Sequence, residues 1–221
     1  MSLVNVTLLT VTWAAAATAL VLPAGLLIAW WLSRGRFRGR VLLETLVSLP
    51  LVMPPVATGL ILLLLFAPRG VIGRALAPLG IDIVFTWKAV VMAMAVMGFP
   101  LLVRTARAGF EQVDRRYEQV ASTLGASPLR VFLTVTLPLA LPSVAAAAVL
   151  CFARAIGEFG ATMMVAGSIP GSTRTLAVAI YSFAETGRDA DAAALVVVSA
   201  VIAFAALALS NYITTRAGVR A

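Results

Sequence analysis

The stretch EQVASTLGASPLRVFLTVTLP, residues 118–138, decides how the rest of the chain is read. It is polar and flanked by charge, yet it lies between two long apolar runs. Val113, Tyr117, Val120 and Leu124 recur every three or four residues, so the pattern predicts one shared helix face. Asp114, Arg115, Glu118 and Ser122 fall largely off that face. Gly125 fits a helix C-terminal position that needs a positive φ. Ser127 and Pro128 read as an N-cap followed by a first-turn proline, so a second short helix follows. Two spans can be joined by a few residues. A structured helix–turn–helix on an arginine-rich side fits docking to a soluble partner instead.

The composition supplies the surrounding medium. The chain has 221 residues, of which 62% are hydrophobic and 12% charged, with a mean hydropathy of +1.03. Ordinary globular chains are nearer half apolar and a quarter charged. The bilayer is therefore the expected solvent, with spans of about 20 residues as the unit. The net charge is +8. Much of the arginine sits beside apolar runs, where a positive-inside bias places it, so nucleic acid is not the expected partner.

Five spans are predicted, near residues 8–32, 41–66, 87–103, 139–165 and 192–213. Arg34, Arg36, Arg38 and Arg40 follow the first, Arg104 and Arg107 the third, and Arg216 and Arg220 the last. Arg115, Arg116 and Arg130 add to the middle group. Parity then puts the N-terminus outside and the C-terminus in the cytoplasm. The first run lacks a positive leader and is too long for a signal h-region, so it reads as a retained span. Residues 176–184 are too few to cross and read as a surface or re-entrant helix; residues 67–86 form an external loop with a short surface helix.

Two features mark the spans. Pro50, Pro54 and Pro55 bend the second, either as a simple kink or as part of a pathway-lining helix. Arg154 and Glu158 are four residues apart in the fourth, so they fall on one helix face. A charge at that depth is expensive and usually paired. The two readings are an ion pair within the helix and direct contact with a transported solute. Thr58, Thr162 and Ser199 are candidate hydroxyl donors, although such side chains more often bond their own backbone.

Several chemistries are excluded. There is no histidine and one cysteine, Cys151, so no intrachain disulfide, no His/Cys metal site and no Ser/His or Cys/His arrangement is expected. Cys151 reads as a packing residue. No GxxxxGK[ST] loop occurs, so nucleotide is not expected to bind here by that route. The only lysine, Lys88, is poorly placed for a serine–lysine membrane protease.

With these residues in hand, a resemblance is clear. Residues 118–138 resemble the cytoplasmic EAA loop of permease subunits of ABC importers. Gly125 matches the family's glycine, and Val135, Leu137 and Pro138 match its closing Ile-x-Leu-Pro with valine for isoleucine. Gln119, Val120 and Ala121 stand where Glu-Ala-Ala is usual, and Glu118 brings a carboxylate one residue early. The proline-rich LPLVMPP at 49–55 and FARAIGEFGA at 152–161 are similar to oxyanion permeases, and IPGSTRT at 169–175 is most similar to molybdate permeases.

The resemblance implies an all-α, polytopic membrane protein of the type I ABC importer permease fold: about five transmembrane helices plus cytoplasmic coupling helices, in one domain over 1–221 with its coupling segment at about 111–138. It implies a homodimer in a bacterial or archaeal plasma membrane that moves molybdate, or its analogue tungstate. A periplasmic binding protein delivers the solute and cytoplasmic ATPase subunits hold ATP and Mg, so the chain itself carries no cofactor, catalytic residue or metal. The coupling residues it implies are Glu118, Gln119, Val120, Ala121, Leu124, Gly125, Ser127 and Pro128, with Arg154 and Glu158 as a pathway or structural ion pair. A sulfate or thiosulfate permease is the near alternative. A standalone channel or carrier has no use for the docking element.

Overall fold

The computed structural model describes residues 3–35 and 37–218. Arg36 and Arg220, and the side chain of Arg216, lie outside the described residues. Every regular element among the described residues is a helix, with no strand among them. Helix α1 is Leu3–Arg34, α2 Arg40–Val52, α3 Pro55–Phe66 and α4 Val71–Leu76, followed by a 3₁₀ turn at Ala77–Leu79. Helix α5 is Trp87–Gln112, α6 Arg115–Thr123 and α7 Pro128–Val131, followed by a π-helical turn at Phe132–Thr136. Helix α8 is Leu137–Ile156, α9 Gly160–Ala166, α10 Leu176–Glu185 and α11 Asp189–Gly218.

Five stretches are long and apolar enough to cross a membrane: Leu3–Arg34, Pro55–Leu79, Trp87–Gln112, Pro128–Ile156 and Asp189–Thr215. Helix α5 is the most buried of them and forms the centre. It packs on α1 and α8 through small residues. A Cβ on Gly98 of α5 would stand 2.8 Å from Cys151 Sγ on α8. Such close approach is how helices associate where lipid is as apolar as leucine. Cys151 is buried there and accepts a weak hydrogen bond from the Thr18 hydroxyl, which is the packing role expected of it.

Two predicted spans are not continuous helices. The run 41–66 breaks at Met53 and Pro54, both in extended conformation (φ −67°, ψ 145° and φ −54°, ψ 129°). Pro54 and Pro55 remove two consecutive amide donors, and each proline disfavours the α conformation of its predecessor. The run 139–165 breaks after Ile156 and resumes at Gly160. In the other direction, α5 extends past the expected end at 103 to Gln112. Arg107 bonds Glu111 one turn on (2.8 Å) and Glu44 of α2 (2.7 Å), so the extension is stabilised by charge pairs rather than lipid.

The stretch 176–184 forms α10 and does not cross, as its length predicts. Its Leu176, Ala179 and Phe183 are buried with Val6 of α1 and Leu195 of α11. It is wedged between two spans at the end opposite α6.

Candidate coupling and translocation sites

The helix–turn–helix at residues 114–131 is built by local sequence chemistry. The Asp114 carboxylate caps α6 by accepting the Arg116 N–H at 2.9 Å. Gly125 adopts φ +84°, and the Ala126 N–H closes back on the Ala121 carbonyl, the glycine-terminated helix end that the sequence predicts. The Ser127 hydroxyl accepts the Arg130 N–H (3.4 Å) and Pro128 opens α7.

Tyr117, Val120 and Leu124 form an exposed face, 60%, 58% and 83% accessible. Gln119, Ser127 and Pro128 are also exposed, and Ala121 is half-buried beneath them. Val113 does not join that face: it precedes α6 and is buried in the core with Phe110 and Phe132. The predicted periodicity ran one turn too far back, because Asp114 ends the preceding irregular link and begins a new helix.

Glu118 points the other way. Its Oε1 accepts from Arg34 Nη2 at 2.8 Å and from the Thr136 hydroxyl at 2.6 Å. Arg34 Nη2 also reaches the Val113 carbonyl at 3.4 Å. A carboxylate one residue early is rotated by about 100° around a helix of 3.6 residues per turn. That rotation turns Glu118 from the exposed face toward the end of α1. Thr136 reaches it from the π-helical turn, where Leu137 N–H bonds the Phe132 carbonyl five residues back. Pro138 has no N–H with which to continue the ladder, and a wider turn accommodates the loss. Phe132 is held against Trp30 and Phe110, with ring centroids 5.0 and 5.9 Å away.

Arg34 belongs to this element, although in the sequence it stands only among span-flanking positive charge and no spacing rule links positions 34 and 118. Arg104 likewise does more than flank a span: its Nε and Nη2 donate to the Ser48 hydroxyl (3.2 and 2.9 Å) and tie α2 to α5.

The second site lies where the two broken spans meet. A Cβ on Gly59 of α3 would stand 2.7 Å from Ala161 Cα of α9, and one on Gly160 would stand 2.8 Å from Pro55 Cβ. The two half-helices are therefore in backbone contact just beyond their breaks. Arg154 closes α8, and its Nη2 lies 2.8 Å from Glu158 Oε2. The pair forms, but not within one continuous helix: Glu158 sits in the break itself. Its other oxygen accepts the Ala161 N–H at 2.8 Å, which caps α9. Glu158 is 1% accessible, while a quarter of the Arg154 side chain stays exposed. A buried carboxylate is tolerable only with such partners.

Thr58 and Thr162 flank the Gly59–Ala161 contact in sequence. Both are buried, and neither hydroxyl has a hydrogen-bond partner. Ser199 is different: it is half-buried on α11 and donates to the Val196 carbonyl of its own helix (2.8 Å). That bond takes it out of the donor set.

At the far end, residues 169–175 form a compact loop. The Thr173 hydroxyl accepts the Ile169 N–H (3.0 Å), Arg174 Nε donates to the Ser168 hydroxyl (3.0 Å), and Gly171 has φ +82°.

Five apolar crossings, two of the predicted spans broken within the apolar region, and an exposed amphipathic helix at the arginine-rich end define a polytopic helical membrane protein. The chain belongs to the family described as binding-protein-dependent transport system inner membrane component, which matches residues 21–219. It is 46% identical over 194 residues to the molybdenum transport system permease protein ModB of Escherichia coli K12, covering 87% of this chain and 85% of that protein. It is 43% identical to the putative molybdenum transport system permease protein YvgM of Bacillus subtilis, covering 86% and 85%. The sulfate transport system permease protein CysT of Salmonella typhimurium is 41% identical over less, 71% of this chain and 57% of that one. A chain from the inward-facing MetNI methionine ABC transporter shares the fold, with a TM-score of 0.69 over 96% of this chain and 99% of that chain at 16% identity.

Proposed function

We propose that this chain is the permease subunit of an ATP-driven importer of molybdate, with tungstate, equal in charge and shape, as an analogue. The observation that carries the reading is the high identity, along most of the chain, to molybdenum transport permeases from distant bacteria. Two copies form the pathway. Each docks a separate ATPase subunit that binds ATP and Mg, and a periplasmic binding protein delivers the anion. The N-terminus lies outside and the arginine-rich end lies in the cytoplasm, in keeping with the positive-inside bias.

The geometry suits that work. ATPase closure moves α6 and α7, whose exposed apolar face fits a groove. The Arg34–Glu118–Thr136 contacts join α6 to α1 and to the base of α8, so displacement of the docking element is passed to two spans as a rigid-body change. In the membrane, weak and distributed donors suit a dianion that must also leave. Arg154, its charge partly offset by Glu158, and the hydroxyls of Thr58 and Thr162 are the candidates for that role.

The test is uptake into liposomes holding the permease and its ATPase, with binding protein loaded with molybdate or with sulfate. Uptake and ATPase stimulation with molybdate alone are expected. Stimulation by sulfate alone would replace the substrate and keep the coupling.

A further inference from the structure

We infer that the docking surface of this chain is cationic and fits an ATPase face that carries carboxylates around an apolar slot. The inference rests on the coupling role proposed above. Between residues 114 and 130 there are three arginines, Arg115, Arg116 and Arg130, and two acids, Asp114 and Glu118. Glu118 is turned inward, and its charge is matched by Arg34 at 2.8 Å. Asp114 spends one carboxylate oxygen on the α6 cap. Arg115, Arg116 and Arg130 are all exposed, and among the described residues none of them makes an ion pair.

What remains on the outside is three positive charges against one capping aspartate, in the same short segment as the exposed apolar Tyr117, Val120, Leu124 and Leu129. Gln119 is exposed at the place where the resembled loop has its glutamate, so no carboxylate is presented there. Exposed apolar side chains sharing a short surface segment with like charge call for a partner with an apolar slot and an opposite rim, since rim charges set encounter rate and partner choice. Glu118 is accordingly a positioning residue: it orients α6 and does not touch the ATPase.

The experiment is equilibrium binding of the ATPase subunits to the full permease in nanodiscs of zwitterionic lipid. Zwitterionic lipid removes anionic headgroups as an alternative partner for the arginines. Wild-type affinity should fall about tenfold between 50 and 300 mM salt, because exposed charge pairs are screened over that range. Arg115→Gln, Arg116→Gln and Arg130→Gln combined should weaken binding about tenfold at low salt and flatten the salt dependence, with the melting temperature unchanged. Glu118→Gln should leave affinity within about twofold while lowering uptake per ATP, the mark of a positioning role. Gln119→Glu should weaken binding, because it adds a carboxylate to a surface that meets carboxylates.

Tighter binding by Gln119→Glu would overturn the inference, as would a combined arginine variant that binds like wild type. Either result leaves the coupling role standing. Failure of the wild-type chain to bind the ATPase at any salt overturns the coupling role and this inference together.

Discussion

Glu118 and Arg34, 84 residues apart in the chain, meet at 2.8 Å, and the same carboxylate oxygen takes the Thr136 hydroxyl. Three elements, α1, α6 and the π-helical turn before α8, are thereby fastened at one point. The pair is mostly shielded, with 15% and 17% of the two side chains accessible, so it is worth more than a surface ion pair. Arg34→Ala is expected to destabilise the protein by about 2 kcal/mol, the scale of a hydrogen bond to a charged group. A double-mutant cycle with Glu118→Gln, read by denaturation in detergent, should show coupling of about 1 kcal/mol or more. Additive effects would mean the contact is idle.

Gly125 holds φ +84° at the end of α6, and a Cβ there has no neighbour within 4 Å. Strain is therefore a backbone matter and not a clash. Gly125→Val is expected to cost about 1–2 kcal/mol at this turn and to reduce uptake several-fold while membrane insertion persists. Gly125→Asn, which tolerates the left-handed region better, should recover most of the uptake. Equal uptake by wild type and the valine variant would show that the turn is not needed for coupling.

Glu158 serves two partners, Arg154 and the amide of Ala161. Glu158→Gln keeps an acceptor for the amide and loses the charge match. Glu158→Ala loses both and leaves Arg154 unopposed. The alanine variant should therefore melt below the glutamine variant, by at least about 1 kcal/mol, and the loss from wild type should approach the 3–5 kcal/mol seen when one member of a buried pair is removed. Calorimetry of the detergent-extracted protein measures both. Identical melting of all three proteins would remove the pair from the account of how the two halves are joined.

The unpartnered hydroxyls of Thr58 and Thr162 make an unusual pair of predictions. Valine has nearly the same shape and no polar atom to leave unsatisfied. Thr58→Val and Thr162→Val should hold or raise stability, by up to about 1 kcal/mol each, because an unpaired buried polar group is itself a cost. If these hydroxyls are donors on the anion route, uptake falls although the protein is no less stable. Normal uptake in the stable double variant would leave the hydroxyls without a transport role.

Much of this protein was legible in the chain because its determinants are local. Apolar runs of crossing length, the arginine clusters beside them, the Gly125 turn and the Ser127–Pro128 helix start are fixed by neighbouring residues and by the solvent each must meet. Even the early position of Glu118 was visible as a departure of one residue. Its consequence was not, because rotation of about 100° matters only once Arg34 and Thr136 are known to lie on that side. The same holds at the membrane site. Prolines at 50, 54 and 55 announce distortion, but only the packing of Gly59 on Ala161 and of Gly160 on Pro55 shows that both broken helices restart against each other. The sequence by itself determined how many apolar crossings the chain makes and that the polar segment between them turns at Gly125 and restarts at Ser127. The tertiary structure alone decided which way Glu118 turns, which half-helices touch and which hydroxyls are left without a partner, since those follow from contacts between segments far apart in the chain.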